Sequence, residues 1–334
     1  MPTAYLYDAE GHDREVELNA DAIAGLNERC LLWLDVDSAD ADGLGAVARL
    51  LRLDPTSIAR IQRPHARPRL DNYGSYFQLT VYTEPLSQHA GANRDEKGRR
   101  IHGAGALKLD LLVGDRWILT AHSGGVRFLE GYRAQDKAET MLGAMSPQAL
   151  AASLLDWHLE EYFDSVADIE AVIDRLDEQV IARPGGEGAL KRMAALKRQV
   201  SRLRALLAEQ RPVFYGLARP DFSLVAESEA AAHYQTLTAR FERAVDEVER
   251  TRDLVVASFE LFTSRTTQQT NDLVKALTLI TVAIGLCAAI AGIFGMNFDA
   301  PIFHTGNRGF NITVIAQMTI LILTAAYVRW QRWI

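Results

Sequence analysis

The sequence predicts an α+β cytoplasmic domain, then a long helical stalk, then two C-terminal transmembrane helices. Three observations carry this. Strand-like runs rich in β-branched and aromatic residues are confined to the first 135 residues. From Ser223 to Ile284 there is neither glycine nor proline, and apolar residues recur mostly at alternating threes and fours. The 48% hydrophobic content is unevenly spread, because two long uncharged runs lie at the C-terminal end. The limits that follow are 1–135 for the α+β domain, 146–272 for the stalk and 273–334 for the membrane part, with spans at about 275–295 and 311–330.

In chain order, TAYLYD, CLLWLDV, YFQLTVYTE, LKLDLLV and RWILTAHS read as strands, with Gly114-Asp115 as a hairpin turn between the last two. Helices are predicted at Ala41 to Leu53 and Gly125 to Gln135. The polar, glycine-rich stretch from Leu86 to Gly105 reads as a mobile loop. Ser146 as N-cap and Pro147 at the first helical position start a helix that runs to about Ile181. RPGGEG breaks it, and the next helix spans Ala189 to about Gln210. Beyond Arg219-Pro220, Tyr234, Leu237, Phe241, Ala244, Val248, Val255, Phe259 and Phe262 keep near coiled-coil spacing, apart from a polar slot around Thr251. A single helix from about Val225 to Phe294 is predicted, on the order of 100 Å long. The alternative is two helices with a kink at Thr263 to Thr270, because threonine-rich stretches are poor helix formers.

Ala276 to Phe294 is nineteen residues without a charge, and Ile312 to Val328 is a second such run. At ~1.5 Å per residue the first nearly matches a ~30 Å hydrocarbon core, and the second reaches it with Trp330 and Trp333 as interfacial anchors. The N-terminus carries charges where a signal peptide would be apolar. Arg265 and Lys275 precede the first span and Arg329 and Arg332 follow the second, whereas the connecting loop holds only Arg308. By the positive-inside rule both termini are cytoplasmic and the loop lies outside; the expected location is a bacterial inner membrane.

Four basic residues and one acid lie from Leu273 onward, so the net charge of −7 conceals −10 in the first 272 residues. That excludes a nucleic-acid partner and suits a protein that meets cations. Cys30 and Cys287 offer neither a disulfide framework nor a zinc cluster, and His65, His122 and His158 lack metal-site spacing. No nucleophile elbow, phosphate loop or catalytic constellation is present, so the chain does not read as an enzyme and calls for no bound cofactor.

Carried into the first span, the period puts Asn271, Val274, Thr278, Thr281, Gly285, Ala288 and Gly292 on one stripe, with large apolar residues on the other faces. Small and polar residues on one side suit the axis of a symmetric pore; close helix packing is the other reading. Cys287 falls about 100° from Ala288 and so faces a neighbouring helix or lipid.

Gly295-Met296-Asn297 after the first span, the Thr270-Asn271-Asp272 that opens that span, and the basic C-terminus ending RWQRWI together resemble the CorA family of divalent-cation channels and transporters. The resemblance implies a funnel-shaped homopentamer in the lipid bilayer, with the first span lining the pore. It implies an outer-mouth ring at Gly295, Met296 and Asn297, with Asp299 nearby. Asn297 amide oxygens there would bond the waters of a hydrated Mg²⁺, and Gly295 would let the chain turn close to the axis. Asn271 would form a second polar ring, and Val274 and Leu277 a hydrophobic constriction. Glu260, with Glu84 as its partner, would hold a regulatory cytoplasmic metal.

The chain departs from the magnesium members in its outer loop, FDAPIFHTGNRGF, which has one acid and an arginine, and in Leu286 where a mid-span proline is usual. Those departures also fit the zinc-transporting ZntB branch, for which His304 would be a ligand. The expected function is therefore divalent cation transport gated by cytoplasmic metal, Mg²⁺ first with Co²⁺ or Ni²⁺, and Zn²⁺ as the alternative, possible coupling to protons being left open. A membrane-anchored scaffold or sensor is the third reading.

Overall fold

The computed structural model describes residues 2–10, 13–19, 23, 25–27, 29–83, 106–135, 142–182, 187–296 and 306–331. Seven strands form one sheet: β1 (Thr3–Asp8), β2 (Arg14–Glu15), β3 (Cys30–Asp37), β4 (Arg69–Asn72), β5 (Phe77–Thr83), β6 (Leu107–Val113) and β7 (Trp117–His122), in the order β2-β1-β3-β7-β6-β5-β4. Only β3 and β7 are parallel. Leu31 to Leu34, Leu111, Leu112, Ile118 and Leu119 are fully buried, as continuous apolar runs in central strands require. The Gly114 turn is found as expected, its N–H bonded to Trp117 O at 2.9 Å. A Cβ at Gly114 would stand 2.2 Å from the Trp117 ring, so the turn takes glycine to admit the indole.

Helices α1 (Ala41–Leu51), α2 (Pro55–Ile61) and α3 (Arg127–Gln135) accompany the sheet. The sequence reading passed over α2, β2 and β4. The signal for α2 was present: Asp54 caps it by accepting from Thr56 N, and Pro55 holds the first position. Lys108, on β6, is buried and closes the other end of α2 by donating to the carbonyls of Arg60, Ile61 and Arg63, while its charge meets Asp110 at 2.7 Å. Burial raises the Asp110 pKa, against the pull of Lys108 and of hydrogen bonds from Thr80 and Gln78.

The remaining chain is helical: α4 (Pro147–Ala182), α5 (Glu187–Leu217), the short α6 (Ser223–Ala226), α7 (Ala231–Phe294) and α8 (Gly306–Trp330). Ser146 caps α4 through its Oγ, 3.2 Å from Ala149 N, as predicted. α5 continues through Pro212 to Leu217, seven residues past its predicted end. Val213, Phe214 and Leu217 are buried there and Phe214 stacks on Phe241 at 4.4 Å, which offsets the hydrogen bond that proline removes. The long helix starts at Ala231 rather than Val225, because α6 closes on itself when Ser228 Oγ donates to Val225 O.

Along α7 the predicted seam is buried from Tyr234 to Val255. Thr251 occupies its polar slot, donating to Glu170 on α4. The next position is Ser258, bonded to Asp177, and not Phe259, which is 47% exposed. The helix does not break at Thr263 to Thr270: the hydroxyls of Thr263, Thr266 and Thr270 donate to the carbonyls four residues back, which satisfies them within the helix. By packing, the chain divides into two compact units, Met1–Ala171 with Leu196–Leu254, and Val172–Ala195 with Val255–Ile334.

Candidate functional site: the face of the first span opposite the second

In the second unit α8 covers one side of the C-terminal part of α7. Ala276 and Ala283 are the buried residues of that side, and Val328 is their counterpart on α8. Gln317 donates from Nε2 to Cys287 O at 3.2 Å, and the Cys287 thiol approaches Gln317 O at 3.9 Å. Cys287 thus faces the neighbouring helix, as its place on the wheel predicted. Ala276, Ala283 and Cys287 are spaced by seven and four, so they share one line along the helix.

At ~100° per residue, Gly285 lies about 180° round from Ala276, and Val274, Thr278, Thr281, Ala288 and Gly292 lie within about 60° of Gly285. All are exposed in the single chain, as are Asn271 and Leu277, whose exposure is 65%. Leu277 sits at the edge of the stripe, about 80° from Gly285. The small and polar residues therefore occupy the side that α8 leaves uncovered. Among the described residues a Cβ at Gly285 or Gly292 would meet nothing within 4 Å, so none of them requires glycine there. Thr278 and Thr281 donate their hydroxyl protons to Val274 O and Leu277 O, both at 2.8 Å. With the proton committed, each hydroxyl oxygen turns only lone pairs outward, which suits a cation or its hydration water.

Gly295 closes the helix, its N–H shared between Ala291 O and Gly292 O at 3.0 and 3.2 Å. The expected turn through glycine's special backbone freedom is not used, since Gly295 is not among the residues of positive φ. What it supplies is small size, a Cβ there lying 3.3 Å from Ala291 O. Met296 is exposed beside it. Asn297, Asp299 and His304 lie outside the described residues, as does Glu84. Glu260 is exposed on α7, and at the start of the span Asp272 pairs with Lys275 at 3.0 Å. Among the described residues no group of three or more His, Cys, Asp or Glu side chains stands close enough to hold a metal. His122 and His158, dismissed as ligands, have other partners: His122 meets Asp35 and Gly124 O, and His158 meets Gln210.

Both C-terminal helices are long and apolar enough to cross a membrane, with only 6% of the apolar window of each buried within the chain. An α+β domain, a helix running unbroken into an apolar span, and a second span packed on one side of it define a class: a two-span integral membrane transporter. A family model described as CorA-like Mg²⁺ transporter protein matches residues 29–330, and the chain belongs to that family of divalent-cation transporters. The cobalt/magnesium transport protein CorA of Thermotoga maritima is 23% identical over 305 residues, 90% of this chain and 83% of its own. The structure of full-length CmaX covers 98% of this chain and 97% of that one at 19% identity, TM-score 0.71. CorA magnesium transporter from Methanocaldococcus jannaschii covers 100% and 99% at 15% identity, TM-score 0.73. The cytoplasmic domain of ZntB from Vibrio parahaemolyticus covers 80% and 98% at 10% identity, TM-score 0.60. At these identities the structures establish the fold. The resemblance read from Thr270 onward is thus borne out.

Proposed function

We propose that the chain assembles as a homopentamer whose α7 spans line a channel for hydrated Mg²⁺, with Co²⁺ or Ni²⁺ as further substrates. The observation that carries this is the opposition of the two faces of the first span. α8 takes the side of Ala276, Ala283 and Cys287, and among the described residues nothing covers the side of Thr278, Thr281, Gly285 and Ala288, which is exposed. A lone two-span subunit cannot enclose an ion path, so transport along that side calls for a ring of copies. Both termini are cytoplasmic in this reading, and the 295–305 segment faces outward.

The ion is selected at the Asn297 ring, where amide oxygens bond its waters without stripping them, a sensible first site because Mg²⁺ dehydrates reluctantly. It passes the threonine lone pairs and the glycine-lined middle, and the path closes by dewetting at Val274 and Leu277. Asn271 offers a second polar ring at the cytoplasmic end. Cytoplasmic metal bridging Glu260 and Glu84 of neighbouring copies holds the ring closed. Magnesium leads because the named magnesium-transporting relatives align over nearly the whole chain. The outer loop, with Asp299 as its single acid and His304 available to a softer ion, favours Zn²⁺ as the second reading.

The deciding experiment is uptake into proteoliposomes, with Mg²⁺ and Zn²⁺ at matched free concentration, with and without a pH gradient. Voltage-driven Mg²⁺ flux indifferent to pH is the expected result. Zn²⁺ flux that follows the pH gradient moves the chain to the zinc reading. Gly285→Leu should abolish flux without lowering the melting temperature, since a Cβ there meets none of the described residues within 4 Å. Flux unchanged by Gly285→Leu and by Asn297→Ala would leave the spans as an anchor for a scaffold or sensor.

A further inference from the structure

Beside the contact between the spans lies a groove of ≈ 380 Å³, walled by Ile280, Ile284 and Leu321, floored by Ala283 and Ala325, and ending at Arg329. We infer that this groove is a binding site for an anionic phospholipid, one acyl chain lying along it and the phosphate resting on the Arg329 guanidinium. The inference rests on the membrane reading of α7 and α8.

Four observations favour a lipid. From Leu321 to Arg329 the helix rises about eight steps, ~12 Å, which is close to half of a ~30 Å hydrocarbon core and so to the depth of one leaflet. The only hydroxyl in the wall, Thr324, spends its proton on Ile320 O at 2.8 Å, leaving no donor that an alkyl chain would strand. Trp330 is 78% exposed and meets Tyr327 edge-on at 6.3 Å. Such a pair marks the headgroup level, so the neighbouring guanidinium stands at the depth of the phosphates.

The fourth observation is charge. Arg329 is exposed and makes no ion pair among the described residues, and Asp272, at the start of the first span, is taken by Lys275. A second copy's spans are poor occupants, because residues 273–296 and 306–330 contain no acidic side chain to offer the arginine. A phosphodiester matches the planar guanidinium with two oxygens. The groove is off the proposed ion path: Ile280 and Ile284 lie about 40° and 80° round from Ala276, whereas Gly285 lies about 180° round. A bound chain therefore braces the span without blocking its polar stripe.

The test uses the full chain, purified in mild detergent and offered phosphatidylglycerol and phosphatidylcholine at equal concentration, with retained lipid counted by native mass spectrometry. Wild type should keep the anionic lipid about fivefold over the zwitterionic one, as one arginine at the headgroup level warrants. Arg329→Gln should erase the preference, and Ala325→Trp, which fills the groove, should reduce retention of both lipids. Inorganic phosphate should not displace the bound lipid. Equal retention by wild type, a preference unchanged by Arg329→Gln, or disulfide linkage of Ala325→Cys chains to each other would overturn the site. Resistance to alkaline extraction from membranes tests the membrane reading separately. A chain that is washed out sinks both inferences, and one that stays but shows no preference sinks only the lipid site.

Discussion

Two glutamines, one buried and one half-buried, show how differently the two regions of this molecule are held. Gln210, on α5, stands beside Tyr82, two residues past the end of the β4 pairing. Its Oε1 accepts from Tyr82 N at 3.3 Å and its Nε2 donates to Tyr82 O at 3.2 Å, so one side-chain amide replaces the missing peptide of a neighbouring strand. The same amide bonds Tyr162 Oη and His158 Nε2. Gln317, on α8, makes a single side-chain bond, to Cys287 O, beside small alanines. The sheet region competes with water, so a polar group buried there without a partner loses what water would have given. In the span region lipid offers no partner to either state, and close contact of small residues carries the association.

The sharpest way to break this comparison is Gln210→Leu. It strands the N–H of Tyr82 and of His158 Nε2 in a site that water does not reach. At ~2 kcal/mol for each buried donor, the loss is about 4 kcal/mol, a drop in the melting temperature of the sheet region that near-ultraviolet circular dichroism would follow. A loss near zero would mean that the amide does not complete the sheet edge.

The second prediction turns on His158 and acid. Burial among Phe128, Tyr162 and Phe214 lowers its pKa from 6.5 to about 4, with the Gln210 bond opposing. The unfolded chain binds this proton below pH 6.5 and the folded chain only below about 4, so stability falls as pH drops through that window and is constant above it. His158→Met should lack this fall, gaining about 2 kcal/mol on wild type between pH 8 and pH 5. His122, paired with Asp35, gives the opposite edge. Burial works against both charges, but their mutual hydrogen bond prevails, holding Asp35 down to about 2 and raising His122. The Asp35 contribution is lost as pH falls through about 2, and that of His122 as pH rises through its raised value. Unfolding of His122→Gln against pH should therefore lose the wild type's decline on the alkaline side of 6.5.

What the sequence disclosed follows the same division. The stripe from Val274 to Ala288 was legible because it is a local pattern on one helix, and the strands from Cys30 and Leu107 because they are short, largely apolar runs too brief for a helix. Arg14–Glu15 and Arg69–Asn72 were missed because they are short, polar edge strands, whose pairing is decided by their neighbours. The Gln210 clamp joins residues 128 apart, and no periodicity announces such a bond. Ser258 was overlooked for Phe259 because hydrophobicity was counted where a hydroxyl serves the seam by bonding Asp177. The choice of metal stayed open for a chemical reason: neutral oxygens bond the waters of a hydrated ion without distinguishing one ion from another.

The smallest expected effect sharpens the comparison most. Gln317→Leu removes one interhelical hydrogen bond, and such bonds in membranes are worth about 0.6 kcal/mol on average. Cys287 O keeps its place in the α7 ladder, so nothing is stranded, unlike the two donors at Gln210. The variant should therefore melt close to wild type in detergent. Its visible consequence lies in register: Gln317 bonds to the backbone of α7, and without that bond α7 is freer to turn against α8. A thiol reagent should then reach Cys287 faster, with Gln317→Asn giving an intermediate rate. If Gln317→Leu instead cost as much as Gln210→Leu, the spans would be held by polar pairing as the sheet region is, and the small face toward α8 would need another explanation.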